Sequence, residues 1–94
     1  MNQLTKQQEE VLRIMQEECG EVVQMVSKVC RFGIDQQHLK DDKPNRDRLT
    51  EELGDLQCMI DLAIKFGIVE GPSVQSARRA KEEKLKIWSN IFKE

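Results

Sequence analysis

The sequence has few of the residues that favour sheets, tight turns and rigid loops. Only 4% of its 94 residues are aromatic, tyrosine is absent, and there are two prolines and five glycines. Charged residues make up 34% of the chain. This balance is typical of a helix-rich protein, and the length allows one domain, predicted to cover residues 1–94. Strands are not expected.

Cysteine is also scarce, and no disulfide framework or zinc site is indicated. Cys19, Cys30 and Cys58 are an odd number and form no C-x-x-C pair. A reduced, cytoplasmic setting is the expectation from this pattern. No run approaches the roughly 20 apolar residues of a membrane span, and the N-terminus lacks the charged-then-apolar pattern of a secretion signal. Secretion and membrane insertion are therefore disfavoured.

No excess of one charge dominates the chain. Its 15 basic and 17 acidic residues give a net charge of −2, and neither sign forms a long block. A general nucleic-acid surface is therefore not indicated. The single histidine, His38, falls in a polar segment and is expected to be a solvated loop residue. Glu-x-x-His pairs are missing, which argues against a di-iron carboxylate bundle.

Apolar residues recur with a helical period in three segments. The first helix is predicted from Thr5 to about Arg31. Thr5 and Gln8 have the spacing of a capping box, and Gly33 is a natural stop. From Gly33 to Pro44 the chain is polar and has no period, which predicts a mobile loop.

The second helix is predicted to be capped by Asn45 or Asp47 and to end near residues 66–67. A third opens at Pro72 or Ser73 and is predicted to continue to the C-terminus. Helices of about 22 to 27 residues are roughly 33 to 40 Å long. So short a chain cannot cover such long apolar stripes alone. The predicted fold is all-α, with long antiparallel helices that form a helical bundle as a homodimer or homotetramer.

Two pairs of acidic residues lie within or beside these apolar stripes. Glu18 with Glu21, and Glu52 with Asp55, are each spaced three residues apart, which places both members on one face of a helix. Acidic pairs on helices are usually solvated, but here both interrupt an apolar stripe in the same way. Packing the helices together would concentrate negative charge in a partly dry space. Cations are needed there to offset the repulsion between the carboxylates. Oxygen-only ligands predict Mg²⁺, with Mn²⁺ as a substitute.

Several basic and polar side chains are candidates for binding a phosphorylated substrate. Lys81 and Lys84 project into the stripe of the third helix. Lysines in such positions either extend their ammonium groups to solvent or reach bound phosphates, and both readings remain open. The further candidates for phosphate, base and sugar are Gln24, Lys28, Arg31 and Arg48.

The remaining large or soft side chains are expected in the core. Trp88 is predicted to anchor the core or an interface rather than to stack on a base. The predicted small or gap-filling core residues are Met15, Cys19, Met25, Cys58 and Met59.

The two acidic segments resemble a known family. The runs Glu-Glu-Cys-Gly-Glu at 17–21 and Leu-Thr-Glu-Glu-Leu-Gly-Asp-Leu at 49–56 are similar to the motifs of the MazG-like all-α nucleoside triphosphate pyrophosphohydrolases. The resemblance extends over residues 8–66. It implies a homo-oligomeric bundle that hydrolyses a nucleoside triphosphate to the monophosphate and pyrophosphate. The Mg²⁺ ligands that it implies are Glu18, Glu21, Glu52 and Asp55.

The resemblance also implies a role for Glu17, which matches the first glutamate of the motif and would support the site or position water. In such sites a metal-activated water attacks the α-phosphorus. The proton acceptor is one of Glu17, Glu18 and Glu21, with the choice left open. Two alternatives stay open as well. One is a phosphoribosyl-ATP pyrophosphohydrolase of the same architecture, and the other is a non-enzymatic helical module whose acids bind a basic partner.

Overall fold

The computed structural model describes residues 3–37 and 43–93, and within them the chain is all-helical. The all-α class is therefore confirmed. None of the described helices is both long enough and apolar enough to cross a membrane. The helices are α1 (Lys6–Phe32), α2 (Asn45–Lys65) and α3 (Gly71–Trp88).

Helix α1 begins and ends at the signals that the sequence carries. The backbone N–H of Gln8 donates to the Thr5 hydroxyl, and the N–H of Thr5 donates to the Gln8 side chain, both at 3.0 Å. This is the predicted capping box. At the other end Gly33 has φ 97°, a conformation that glycine adopts at little cost, and its N–H donates to the Val29 carbonyl.

Helix α2 begins differently from the prediction. Pro44 is the N-cap, and no side chain caps the helix. Asn45 is already helical and buried, and its side-chain amide donates to the Gly33 carbonyl at 2.9 Å. The prediction of an Asn45 or Asp47 cap is wrong because the Asn45 amide instead ties the start of α2 to the end of α1. His38 and the centre of the predicted loop lie outside the described residues.

Helices α1 and α2 form an antiparallel hairpin. The Gln8 side chain donates to the Phe66 carbonyl at 2.9 Å at one end, and the Asn45 to Gly33 hydrogen bond closes the other. Between these ends the two helices pack along their length. The core cluster consists of Val11, Met59 and Ala63, flanked by the partly buried Ile14, Met15, Leu62, Phe66 and Ile68.

The predicted core residues are only partly confirmed. Met25 and Met59 are buried, and Met15 is half-buried. Cys19 and Cys58, expected in the core, are instead exposed. Cys19 directly follows the partly buried Glu18, and Cys58 directly precedes the buried Met59. Because a step of one residue turns the side chain by more than a quarter of a helical turn, both cysteines point away from the packed face.

Helix α3 projects from the hairpin. Its first residue, Gly71, lies against the Ile64 side chain, and none of its residues is buried. The prediction that this helix continues to the C-terminus is wrong, because the chain becomes extended at Ser89, whose hydroxyl donates to the Leu85 carbonyl. Trp88 is 83% exposed and is not a core residue of the described chain.

Candidate metal centre

Acidic side chains from α1 and α2 meet in the middle of the hairpin. One carboxylate oxygen each from Glu18, Glu52 and Asp55 lies within 4.8 Å of the others. Ligand oxygens at about 2.1 Å from an octahedral Mg²⁺ are separated by about 3 to 4.2 Å. Small side-chain rotations are therefore enough for these three residues to contact one divalent cation.

Glu21, the fourth predicted ligand, lies beside this triad. Its negative charge contributes to the raised pKa of both Glu18 and Glu52, so it is close to each of them. Its side chain is exposed. The structure thus brings three of the predicted ligands together and places the fourth at the edge of the same cluster.

The environment of the acidic cluster disfavours the ionised form of its carboxyl groups. Partial burial is the largest cause of the raised pKa of Glu18, followed by the charges of Asp55 and Glu21. Partial burial also comes first in raising the pKa of Glu52, followed by Glu21 and then Asp55. A bound cation favours the ionised form of a nearby carboxyl and would lower both pKa values.

The acids that directly precede Glu18 and Glu52 lie toward solvent. These acids are Glu17 and Glu51, and both are exposed. The charge of Glu17 contributes to the raised pKa of Glu18, and Glu51 forms an ion pair with Lys43. Glu17, predicted as catalytic, is therefore adjacent to the triad without belonging to it.

Polar and basic groups flank the acids on the side of the interhelical loop. Arg48 is half-buried and precedes Glu52 by one helical turn on α2. Gln24 and Lys28 are exposed and follow Glu21 at intervals of three and seven residues, which places all three on one face of α1. These three predicted substrate-binding residues therefore lie near one end of the cluster.

The other predicted phosphate ligands are not brought to the acids within the described chain. Arg31 follows Glu21 by ten residues, about 15 Å along the helix. Its guanidinium lies 5.0 Å from the ring centre of Phe32. Lys81 and Lys84 are exposed on α3, which does not pack along the hairpin. Neither lysine contributes to the shifted pKa values of the acids.

A groove that was not predicted from the sequence lies on the other side of the cluster. Ile14 precedes Glu18 by one helical turn and Met59 follows Asp55 by one, so the groove begins next to the acids. The sequence spacing that could have predicted this groove was present, because its apolar residues share a helix face with the acids. The groove is lined by Gln7, Glu10, Val11, Ile14, Met59, Leu62 and Phe66.

Comparison of the chain with protein-family models, curated proteins and solved structures gives no match.

Proposed function

We propose that this protein is a Mg²⁺-dependent nucleoside triphosphate pyrophosphohydrolase that converts (d)NTP to (d)NMP and pyrophosphate. Its working form is a homo-oligomeric helical bundle, and its location is the reducing cytoplasm, as the unpaired cysteines suggest. One observation carries the proposal. Glu18, Glu52 and Asp55 approach within 4.8 Å across two helices while sequence motifs around them resemble those of MazG-like enzymes.

The donor set fits magnesium. All candidate ligands are carboxylate oxygens, which suit hard cations such as Mg²⁺ and Mn²⁺. The cluster is open, since Asp55 and Glu21 are exposed, and an open site leaves coordination positions for water and phosphate. When bound, Mg²⁺ neutralises charge on the triphosphate and lowers the pKa of a coordinated water.

The chain's own residues supply the remaining steps. Glu18, Glu52 and Asp55 hold the metal, with Glu21 completing the acidic set. A carboxylate among Glu17, Glu18 and Glu21 accepts the proton of the attacking water, because these side chains line the α1 side of the cluster. The water oxygen forms a bond to the α-phosphorus as the α–β phosphoanhydride bond breaks, and the electron pair of the broken bond leaves with pyrophosphate.

The flanks of the cluster orient the substrate. Lys28 and Arg48, with Gln24 beside them, lie toward the loop and contact the triphosphate in this proposal. The groove on the opposite side has apolar walls and two polar side chains, Gln7 and Glu10. This combination fits a nucleobase, which needs a flat apolar contact and a few directional hydrogen bonds.

Pyrophosphate release across all common ribo- and deoxyribonucleoside triphosphates, with and without Mg²⁺, tests the proposal. The wild type is expected to release pyrophosphate only with the metal, and Asp55→Asn to release none. Asp61→Asn is the matched control, because Asp61 is exposed on the same helix away from the cluster. Wild-type release by Asp55→Asn would contradict the site.

The same assay separates the alternatives. Phosphoribosyl-ATP is included in the panel, and its preferential hydrolysis would identify the substrate as that compound. No hydrolysis of any substrate, together with no effect of Mg²⁺ on thermal stability, would favour a helical interaction module whose acidic face binds a basic partner.

A further inference from the structure

The groove and the acidic cluster form one continuous trough along the hairpin. On α1, Glu10, Ile14 and Glu18 follow one another at intervals of four residues, which places them along one side of the helix. Glu10 and Glu18 are therefore separated by about 12 Å along the helix axis. A metal-bound α-phosphate and its ribose fill this distance, so the base of a nucleotide held at the acids lies in the groove.

The walls of the groove hold a flat ring without distinguishing one base from another. The apolar side chains that line it are Val11, Ile14, Met59, Leu62 and Phe66. Stacking on an aromatic side chain stabilises every base, because every base has a π-face. The groove encloses about 280 Å³, just below the range of about 300 to 1,000 Å³ that drug-sized ligands occupy. This space suits a base, and its selection must come from polar groups.

Two polar side chains, Gln7 and Glu10, complete the lining. Residues three apart on a helix have Cβ atoms about 5 to 6 Å apart, so both side chains can reach the same edge of one base. Within the described chain neither side chain has a hydrogen bond or an ion pair. The neighbouring Gln8, in contrast, uses both ends of its amide, on Thr5 and on Phe66. Gln7 and Glu10 are therefore free to bind a ligand.

Guanine has the pairing edge that complements these two groups. A carboxylate offers two acceptor oxygens and no donor, and a glutamine amide offers both a donor and an acceptor. The edge of guanine carries two adjacent donors, N1–H and the 2-amino group, and beside them the O6 acceptor. Paired N–H donors that meet both oxygens of one carboxylate form the strong, directional kind of hydrogen bond.

Each of the other common bases places an acceptor opposite the carboxylate. Adenine and cytosine have one amino group beside a ring nitrogen that accepts, and uracil and thymine have one ring N–H between two carbonyl oxygens. An acceptor that faces a carboxylate loses its hydrogen bond to water and gains none in return. Such mismatches are rejected strongly by sites built for hydrogen bonding.

We propose that the groove selects guanine nucleotides, with Glu10 accepting from N1–H and the 2-amino group and Gln7 donating to O6. This selection rests on the proposed function and names its substrate: the acidic cluster hydrolyses (d)GTP to (d)GMP and pyrophosphate. Gln7 and Glu10 contact the base alone, so they set specificity and take no part in the hydrolysis.

GTP and ITP are the sharpest pair of substrates, because inosine lacks only the 2-amino group. The wild-type kcat/KM is expected to be about tenfold higher for GTP, since ITP leaves one oxygen of the carboxylate without a partner. Glu10→Gln should bring this ratio close to one, because glutamine has one acceptor oxygen instead of two. Glu9→Gln, exposed on the same helix and outside the groove, keeps the wild-type ratio. A wild-type ratio of about one, or an unchanged ratio in Glu10→Gln, overturns the proposal.

The contact to O6 has a separate test in Gln7→Glu. This substitution keeps the shape of the side chain and replaces the donor to O6, which guanine and hypoxanthine share. We expect kcat/KM to fall about tenfold for GTP and for ITP, so their ratio is retained while the ratio of GTP to ATP falls. An equal loss with ATP would be a general effect of the added charge, and it would remove Gln7 from the recognition of O6.

Binding of GMP and IMP in the presence of Mg²⁺, measured by calorimetry, separates this selection from the proposed function. Hydrolysis of every triphosphate with equal kcat/KM for GTP and ITP overturns the selection and leaves the function intact. No hydrolysis of any triphosphate, with GMP bound about tenfold more tightly than IMP, refutes the hydrolase and supports the selection. Where no triphosphate is hydrolysed, equal or undetectable binding of the two monophosphates overturns both.

Discussion

After partial burial, the carboxylate of Asp55 on α2 is the largest cause of the raised pKa of Glu18 on α1. The two residues are distant in sequence and become neighbours only when the hairpin closes. Their repulsion is the physical link between the fold and the proposed metal chemistry, because the same closeness that disfavours two charges favours a shared cation.

The stability of the metal-free protein is expected to depend on pH through these acids. The pKa of Glu18 and of Glu52 is raised above the ordinary 4.5 in the folded state, so the folded chain holds protons that the unfolded chain has lost. The free energy of unfolding therefore falls as pH rises through and above 4.5, and the destabilisation is complete above the raised values. Denaturation of the wild type and of Glu52→Gln over a pH series measures the difference. A wild type that gains stability relative to Glu52→Gln with rising pH would contradict the sign.

Magnesium is expected to stabilise the wild type in a concentration-dependent way. Binding to the folded state alone raises the free energy of unfolding by about 2.7 kcal/mol when the ligand is at 100 times its Kd. Thermal unfolding with increasing Mg²⁺ measures this effect, and Glu52→Gln should respond weakly because it loses one charged ligand. Asp61→Asn serves as the control with an unchanged response. Equal Tm shifts in Glu52→Gln and the wild type would place the ion elsewhere.

Replacement of a metal ligand is expected to abolish activity and leave the fold intact. Glu18→Ala and Asp55→Ala each remove one charge from a repelling cluster, so the metal-free variants should be as stable as the wild type or more so. Pyrophosphate release is measured beside circular dichroism spectra and unfolding curves. Persistent wild-type turnover in either variant would remove that residue from the proposed site.

The groove is expected to control recognition of the base rather than the chemistry. Glu10 lines the groove beside the acids but does not belong to the triad. Glu10→Gln should therefore change KM or the order of preferred bases, with kcat for the best substrate little altered. Steady-state kinetics across the triphosphate panel checks this, with Glu9→Gln as a matched exposed control. A large fall in kcat at unchanged KM would instead assign Glu10 to the chemistry.

The capping box of α1 is expected to contribute measurably to folding. Thr5→Ala removes the acceptor for the Gln8 N–H and should lower the free energy of unfolding by about 1 kcal/mol. Chemical denaturation measures the change. Ser73→Ala near the start of α3 is the comparison, since no side chain caps that helix, and an equal loss in both variants would argue against a specific cap.

The helices themselves were predictable because their signals are local. The Thr5 and Gln8 capping box, the apolar period and the positive φ of Gly33 depend on residues within a few positions of one another. The start of α2 was not predictable, because the Asn45 side chain donates a hydrogen bond to the Gly33 carbonyl across the turn instead of capping its own helix. The end of α3 at Trp88 was also missed, since the apolar period continues past Trp88 while the backbone becomes extended at Ser89.

The sequence alone determined which acids could share a helix face, because i and i+3 spacing fixes that geometry for any helix. Only the tertiary structure decided that Glu18 meets Glu52 and Asp55, that Arg31, Lys81 and Lys84 stay apart from them, and that a groove adjoins the cluster. These relations depend on the register and antiparallel packing of α1 and α2. Register is set by contacts between residues far apart in the chain, such as Gln8 with Phe66, and no local pattern specifies them.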